Sequence, residues 1–284
     1  MDPQTIQRPI RAGDIVKTTN QTNNVIVYII LSVTIDHDKI RILISPIQDE
    51  NSSEKLTITI DSNGTIIEDK PELYQIEYLP GQNPGTVYVA AMNLRGKRAP
   101  KPESATVVNA TSCQRKDNKN RRDFSPMTQI DGGYKGYWNF ESYWQSGKVW
   151  EGVSHNVSKA WWKKQNTPKR KYPPGKGKQV LHAKFDHIDE DLEYVPSRKR
   201  VYVPEYYNMI KDREQTQYWR RKVLEGNDIV VYDMDGPRSE EGDPVTLTVN
   251  LDMLKDKIEY TKFPFGHGYV VAATFAGIIP DQYI

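Results

Sequence analysis

A chain of 284 residues, 37% hydrophobic and 27% charged, has the size for two compact cores, and no stretch approaches the ~20 apolar residues that cross a bilayer. Cys113 is the only cysteine, which excludes an internal disulfide and a cysteine-rich zinc site; the start Met1-Asp2-Pro3-Gln4 lacks the basic and apolar regions of a secretory signal, so the expected compartment is intracellular. The net charge of +2 hides an asymmetry, because residues 1–100 carry 10 Lys/Arg against 12 Asp/Glu, residues 101–178 carry 16 against 6, and residues 179–284 carry 13 against 19.

Residues 10–93 alternate β-branched runs with polar turns, and Asn63-Gly64 between two Ile/Thr runs predicts a hairpin, since both residues tolerate the positive φ of a type I′ turn. The expectation over residues 1–100 is a small antiparallel β barrel, similar to SH3- or Tudor-like barrels only in length and in its Ala12-Gly13-Asp14-Ile15-Val16 run. Its aromatics are Tyr28, Tyr74, Tyr78 and Tyr88, with no Trp or Phe, so a structural or docking module is favoured over a stacking surface. Residues 101–128 read as a basic linker. Arg115, Lys116, Lys119, Arg121 and Arg122 within it are candidate nucleic-acid contacts, or else they pair with acidic neighbours in the same chain.

All six tryptophans lie beyond residue 130, which marks residues 129–284 as a second, Trp-rich α/β domain. Trp138, Trp144 and Trp150 recur at a spacing of six, and Trp161-Trp162 stands among lysines; such aromatics either stack bases or form a core. Residues 179–185 and 200–203 are expected strands, 206–224 an amphipathic helix, 228–232 a buried strand, 245–249 a strand and 251–260 a helix. Helices alternating with short apolar strands predict a mainly parallel sheet with ligands at the strands' carboxyl ends, so the fold class is α+β overall, a β barrel followed by an α/β domain.

Two turns fall on that rim. Phe265-Gly266-His267-Gly268 opens an apolar helix, where glycines allow close backbone approach and free N–H groups favour an anion. Asp233-Met234-Asp235-Gly236-Pro237 follows a strand and locally resembles the haloacid-dehalogenase phosphatases, a likeness that would make Asp233 the nucleophile and Asp235 the acid/base. That family places the motif early and needs a later lysine and paired carboxylates, whereas only 49 residues follow position 235 here, so a turn whose acids cap a helix or line a polar pocket is favoured. His182 and His187 flank Asp186 but lie five apart along a strand and loop, facing opposite ways, and no metal site is expected.

If a nucleotide lies on this rim, Gly266 and Gly268 would cradle phosphate, Arg198 or Lys199 would add charge, and an indole such as Trp144 would stack the base. Asp233 or Glu141 would stabilise positive charge on a ribose as an N-glycosidic bond breaks, with His267 as acid or base. The residues name no cofactor.

Residues 139–148, 161–163, 168–170, 197–207, 233–237 and 264–273 together resemble a Gly-His-Gly-motif domain, without an assigned activity, from open reading frames of giant DNA viruses and large phages. The resemblance covers residues 130–280 and implies a viral protein of the host cytoplasm, virus factory or virion. More distantly, the strand, acidic turn and Gly-His-Gly helix start are similar to nucleoside-deoxyribosyltransferase-like and NAD-cleaving proteins. Two functions stay open: a domain that binds a nucleotide or other phosphate-bearing ligand, up to an enzyme cleaving an N-glycosidic bond, and a noncatalytic virion or nucleic-acid-associated protein that docks a viral partner through its β domain.

Overall fold

The computed structural model describes residues 84–93 and 97–284, together with the backbone of six strands that precede them. The chain divides into two compact units, residues 1–84 with 224–226 and residues 85–223 with 227–284. In the first, β1 (Ile15–Thr19), β2 (Val25–Asp36), β3 (Lys39–Pro46), β4 (Leu56–Asp61), β5 (Ile66–Glu68) and β6 (Ile76–Leu79) form one antiparallel sheet in the order β5-β4-β3-β2-β1-β6. Among the described residues no ladder joins β5 to β6 and no barrel is seen; β6 pairs with β1, and β5 and β6 stand at the two ends of the strand order. β4 and β5 pair as the predicted hairpin requires; Asn63 and Gly64 themselves lie outside the described residues.

The second unit opens with β7 (Val87–Ala91), β8 (Thr106–Asn109), α1 (Lys119–Phe124), α2 (Phe140–Ser146), β9 (Lys148–Trp150), α3 (His155–Lys163) and β10 (Val180–Ala183). It continues with α4 (Tyr194–Ser197), α5 (Val203–Ile210), α6 (Glu214–Leu224), β11 (Ile229–Asp233), β12 (Thr246–Thr248), α7 (Leu251–Glu259) and α8 (His267–Phe275). Four strands form a sheet in the order β12-β7-β11-β8, with β11 parallel to both β7 and β8 and β12 antiparallel at one edge. β9 and β10 make a separate antiparallel pair.

β11 explains why 228–232 reads as an uninterrupted apolar run. Ile229 and Val231 join the main core, while Val230 and Tyr232 join a smaller core with Ala90, Met92, Ala99 and Ala105, so both faces are covered. Burying each such side chain contributes about 1.5–3 kcal/mol. α8 packs against β7 and β11, and every residue from Gly268 to Phe275 is buried, which accounts for its small apolar composition. The parallel strands therefore deliver Ala91, Asn109 and Asp233 to one rim, with the start of α8 beside them.

Three expectations are corrected here. The change of unit falls at Pro84–Gly85 and not near residue 100, because β7 is an inner strand of the second sheet and the supposed linker of 101–128 contributes β8 and α1. Residues 200–203 are helical, part of a π turn over Arg198–Tyr202 that joins α4 to α5. The expected helix 206–224 breaks at 211–213, where Thr216 Oγ1 and the Gln217 amide donate to the carbonyls of Ile210 and Lys211.

A chain starting at Gly85 is accordingly expected to melt cooperatively, whereas one starting at residue 101 loses β7 and is expected to show no cooperative transition by circular dichroism. Equal cooperativity in both would contradict the placement of β7.

Candidate active site

Asp233, the last residue of β11, is 1% exposed and its carboxylate is fully engaged. Oδ1 accepts from the Met234 N–H at 2.7 Å; Oδ2 accepts from the Gly268 N–H at 2.9 Å and lies 3.2 Å from His267 Nδ1. It thus takes the place of a capping side chain at the start of α8, whose N-cap, Gly266, has none to offer. His267 Nε2 lies 3.0 Å from the carbonyl of Ala110, just past β8, so the ring bridges the ends of β8 and β11. Both ring nitrogens face acceptors within the protein. The edge of Tyr206 closes over the imidazole at 5.9 Å.

This geometry gives the two glycines a different meaning. A Cβ on Gly268 would stand 2.5 Å from Asp233 Cβ, and one on Gly266 would meet Asp233 Oδ2 and, at 2.6 Å, Asp235 Cβ. The groups that approach these two glycines are the Asp233 side chain and the Cβ and backbone carbonyl of Asp235. Gly268→Ala is expected to destabilise the fold by about 1–3 kcal/mol through overpacking, read as a lower denaturant midpoint at unchanged m value. Asp233, buried under three donors, is not presented for nucleophilic attack, which removes the basis of the phosphatase likeness.

Glu141 enters the same rim from α2, which starts there because Asn139 Oδ1 accepts the Ser142 N–H at 2.8 Å. Its half-buried carboxylate accepts from the Gln145 amide at 2.8 Å. Burial pushes the Glu141 carboxyl above the usual carboxylate range, against the opposing pull of that hydrogen bond, Lys148 and His267. Asp235, whose side chain reaches solvent, is also pushed up, first by the protein packed around it and then by Asp233, with His267, Arg238 and Arg170 opposing. Lys148, the first residue of β9, is held below its usual range by burial, although Glu141 and Asp235 pull the other way. Among the described residues its amine has no hydrogen-bond or ion-pair partner.

Arg170 and Lys171 add positive charge to this group of side chains: the Arg170 guanidinium acts on Asp235 and the Lys171 amine on Lys148. Arg170 is tied to the loop after β8 by a 3.1 Å hydrogen bond to Ser112 Oγ. Tyr202 and Trp144 form the aromatic side, 4.9 Å apart, and Trp144 also stacks on Phe185 at 5.8 Å. Gly147 makes that stack possible, since a Cβ there would strike the Phe185 ring.

Other expected contacts lie elsewhere. Arg198 is 2% exposed and donates to the carbonyls of Ile258, Tyr260 and Phe263 at 3.2, 2.9 and 3.3 Å, so it closes the carboxyl end of α7 and is not available to a ligand. Lys199 pairs with Glu259. Of the basic segment, Arg122 pairs with Asp123 and Glu214, Lys119 with Glu214 and Arg115 with Asp117, while Arg121 donates to the Gln114 carbonyl; Lys116 is exposed. A polar depression of about 590 Å³ over α1 is lined by Arg115, Lys119 and Asp117 together. His182 and His187 face Asp191 and Glu205, and among the described residues no group of three His, Cys, Asp or Glu side chains is placed to hold a metal. No described helix is long and apolar enough to cross a membrane.

The sequence reading singled out Glu141, Asp233 and His267, which do meet at the rim. It missed Lys148 and Arg170–Lys171, whose signal was present only as a lysine directly after the helix-ending Gly147 and as a basic run after Pro168. Comparison with protein-family models, curated proteins and solved structures finds no match to this chain.

Proposed function

We propose that the second unit is an enzyme that cleaves an N-glycosidic bond of a phosphate-bearing nucleoside, in a viral protein whose N-terminal sheet docks a viral partner. The observation that carries this reading is the grouping of two carboxyls held above their usual range, Glu141 and Asp235, with Lys148 of β9, whose amine feels both and has no hydrogen-bond or ion-pair partner among the described residues. A carboxylic acid beside a carboxylate is what departure of a base from ribose requires: one protonates the leaving nitrogen and the other stabilises positive charge on the sugar. Glu141, the more enclosed, takes the acid role, and Asp235, open to solvent, takes the stabilising one. Arg170 and Lys171 meet the phosphate in place of the Gly-His-Gly turn. Asp233 and His267 position the rim. Their partners are backbone groups and each other, so neither touches the reacting atoms.

The test is release of free base from NAD, deoxynucleotides, nucleosides and a short oligonucleotide, followed by chromatography. Arg170→Ser with Lys171→Ser is expected to raise KM for phosphorylated substrates roughly tenfold and to leave nucleosides unchanged. Absence of base release across the panel would contradict the enzymatic reading. One observation favours the noncatalytic alternative: the Gly-His-Gly turn is filled by Asp233, as in a purely structural helix start.

A further inference from the structure

We infer that Lys148 is a covalent catalyst whose amine captures C1′ of the substrate's ribose as an imine once the base departs. The inference rests on the N-glycosidic reading above and deepens it. Its starting point is a contrast among the lysines: Lys135, Lys159, Lys199 and Lys262 each hold a carboxylate, whereas Lys148 is half-buried on β9 with no hydrogen-bond or ion-pair partner among the described residues. A flexible ammonium ordinarily seeks a counter-ion or water. Lys148 instead stands within electrostatic reach of Glu141 and Asp235 without bonding either.

Its surroundings suit a nucleophile. Burial favours the neutral amine, Lys171 adds to that effect, and the two carboxyls temper it. Pairing of β9 with β10, which sets Lys148 opposite Ala183, fixes the backbone from which the amine projects. The preceding Gly147 is held against Phe185, so the start of the strand has little freedom to move.

The C1′–N bond to the base breaks, its electron pair leaves with the base, and the Glu141 carboxyl supplies the proton that base needs. The Lys148 lone pair forms a new C1′–Nζ bond, and the nitrogen gives a proton to the Glu141 carboxylate. Opening of the sugar ring then moves the C1′–O4′ pair to O4′, which takes the proton now held by Glu141, while the remaining nitrogen lone pair makes the C1′=Nζ bond. Water then adds to C1′ of the imine, the C1′–Nζ bond breaks with its electron pair returning to the Lys148 nitrogen, and the aldehyde sugar leaves as Glu141 recovers its proton. A lysine acting only as a counter-ion to Glu141 and Asp235 would form no such bond.

Reductive trapping separates the two roles. The full chain is incubated with ribose 5-phosphate and sodium cyanoborohydride, whose hydride reduces the imine to a stable amine, and the adduct is located by intact mass and peptide mapping. A single adduct at Lys148 is expected, lost in Lys148→Arg, with base release in that variant falling to roughly a hundredth. Melting curves check that Lys148→Arg is folded, and Lys148→Met serves if it is not. Labelling of Lys148 no greater than that of the exposed Lys169 and Lys176, or wild-type base release by Lys148→Arg, would overturn the inference. Base release without trapping removes this inference and leaves the N-glycosidic reading standing; selective trapping without base release keeps the reactive amine and removes that reading.

Discussion

Glu141→Gln is expected to lower kcat for base release by about 10²–10⁴-fold, the range that a positioned general acid contributes, with little change in KM. The direction of its shift also sets the pH profile. An acid works while protonated, and burial raises the Glu141 carboxyl above the carboxylate range, so kcat should hold at low pH and fall as pH rises through that raised value. In Glu141→Gln this falling limb should vanish along with most of the rate. Stability should respond to the substitution in the opposite sense, rising where the rate falls. A carboxyl that keeps its proton more tightly when folded loses folded-state stability as pH rises from its unfolded to its folded value, so Glu141→Gln is expected to be the more stable protein at neutral pH. A variant both inactive and less stable would point to a structural role for Glu141.

Asp233→Ala should act on stability. The carboxylate serves the Met234 N–H, the Gly268 N–H and the His267 ring at a site 1% exposed, and its removal leaves buried donors without an acceptor at about 1–3 kcal/mol each. A loss of about 3 kcal/mol or more is expected, which in a unit of this size lowers Tm by roughly 6–12 °C. The start of α8 should lose amide-exchange protection before the rest of the helix, because its cap is what has gone. A melting temperature within about 2 °C of wild type would contradict the capping role of Asp233.

Elements with a strong local signal were legible in the sequence. β11 announced itself because both of its faces are covered, and α7 because Asn250 caps it and its apolar residues recur at helical spacing. β7 was legible as a strand but not as part of the second unit. Its partner β11 lies about 140 residues further on, and parallel pairing over such a separation leaves no local trace. β8 was concealed by the basic residues around it, although Thr106-Val107-Val108 is β-branched throughout. At the site, Gly266 and Gly268 read in the sequence as room for a phosphate, but a missing Cβ does not tell which group fills the space, and here the Asp233 side chain packs against both. Arg198 shows the same limit: a cationic residue expected at a ligand is indistinguishable by sequence from one that closes the end of a helix some 60 residues further on.

The most direct measurement compares base release per folded molecule in Glu141→Gln and His267→Gln, with folded fractions taken from melting curves under the assay conditions. The account predicts that Glu141→Gln stays folded and loses its rate, while His267→Gln melts earlier yet keeps the rate of its folded fraction within about tenfold of wild type. Full activity in Glu141→Gln together with an inactive but stably folded His267→Gln would contradict it and return the chemistry to the Gly-His-Gly turn.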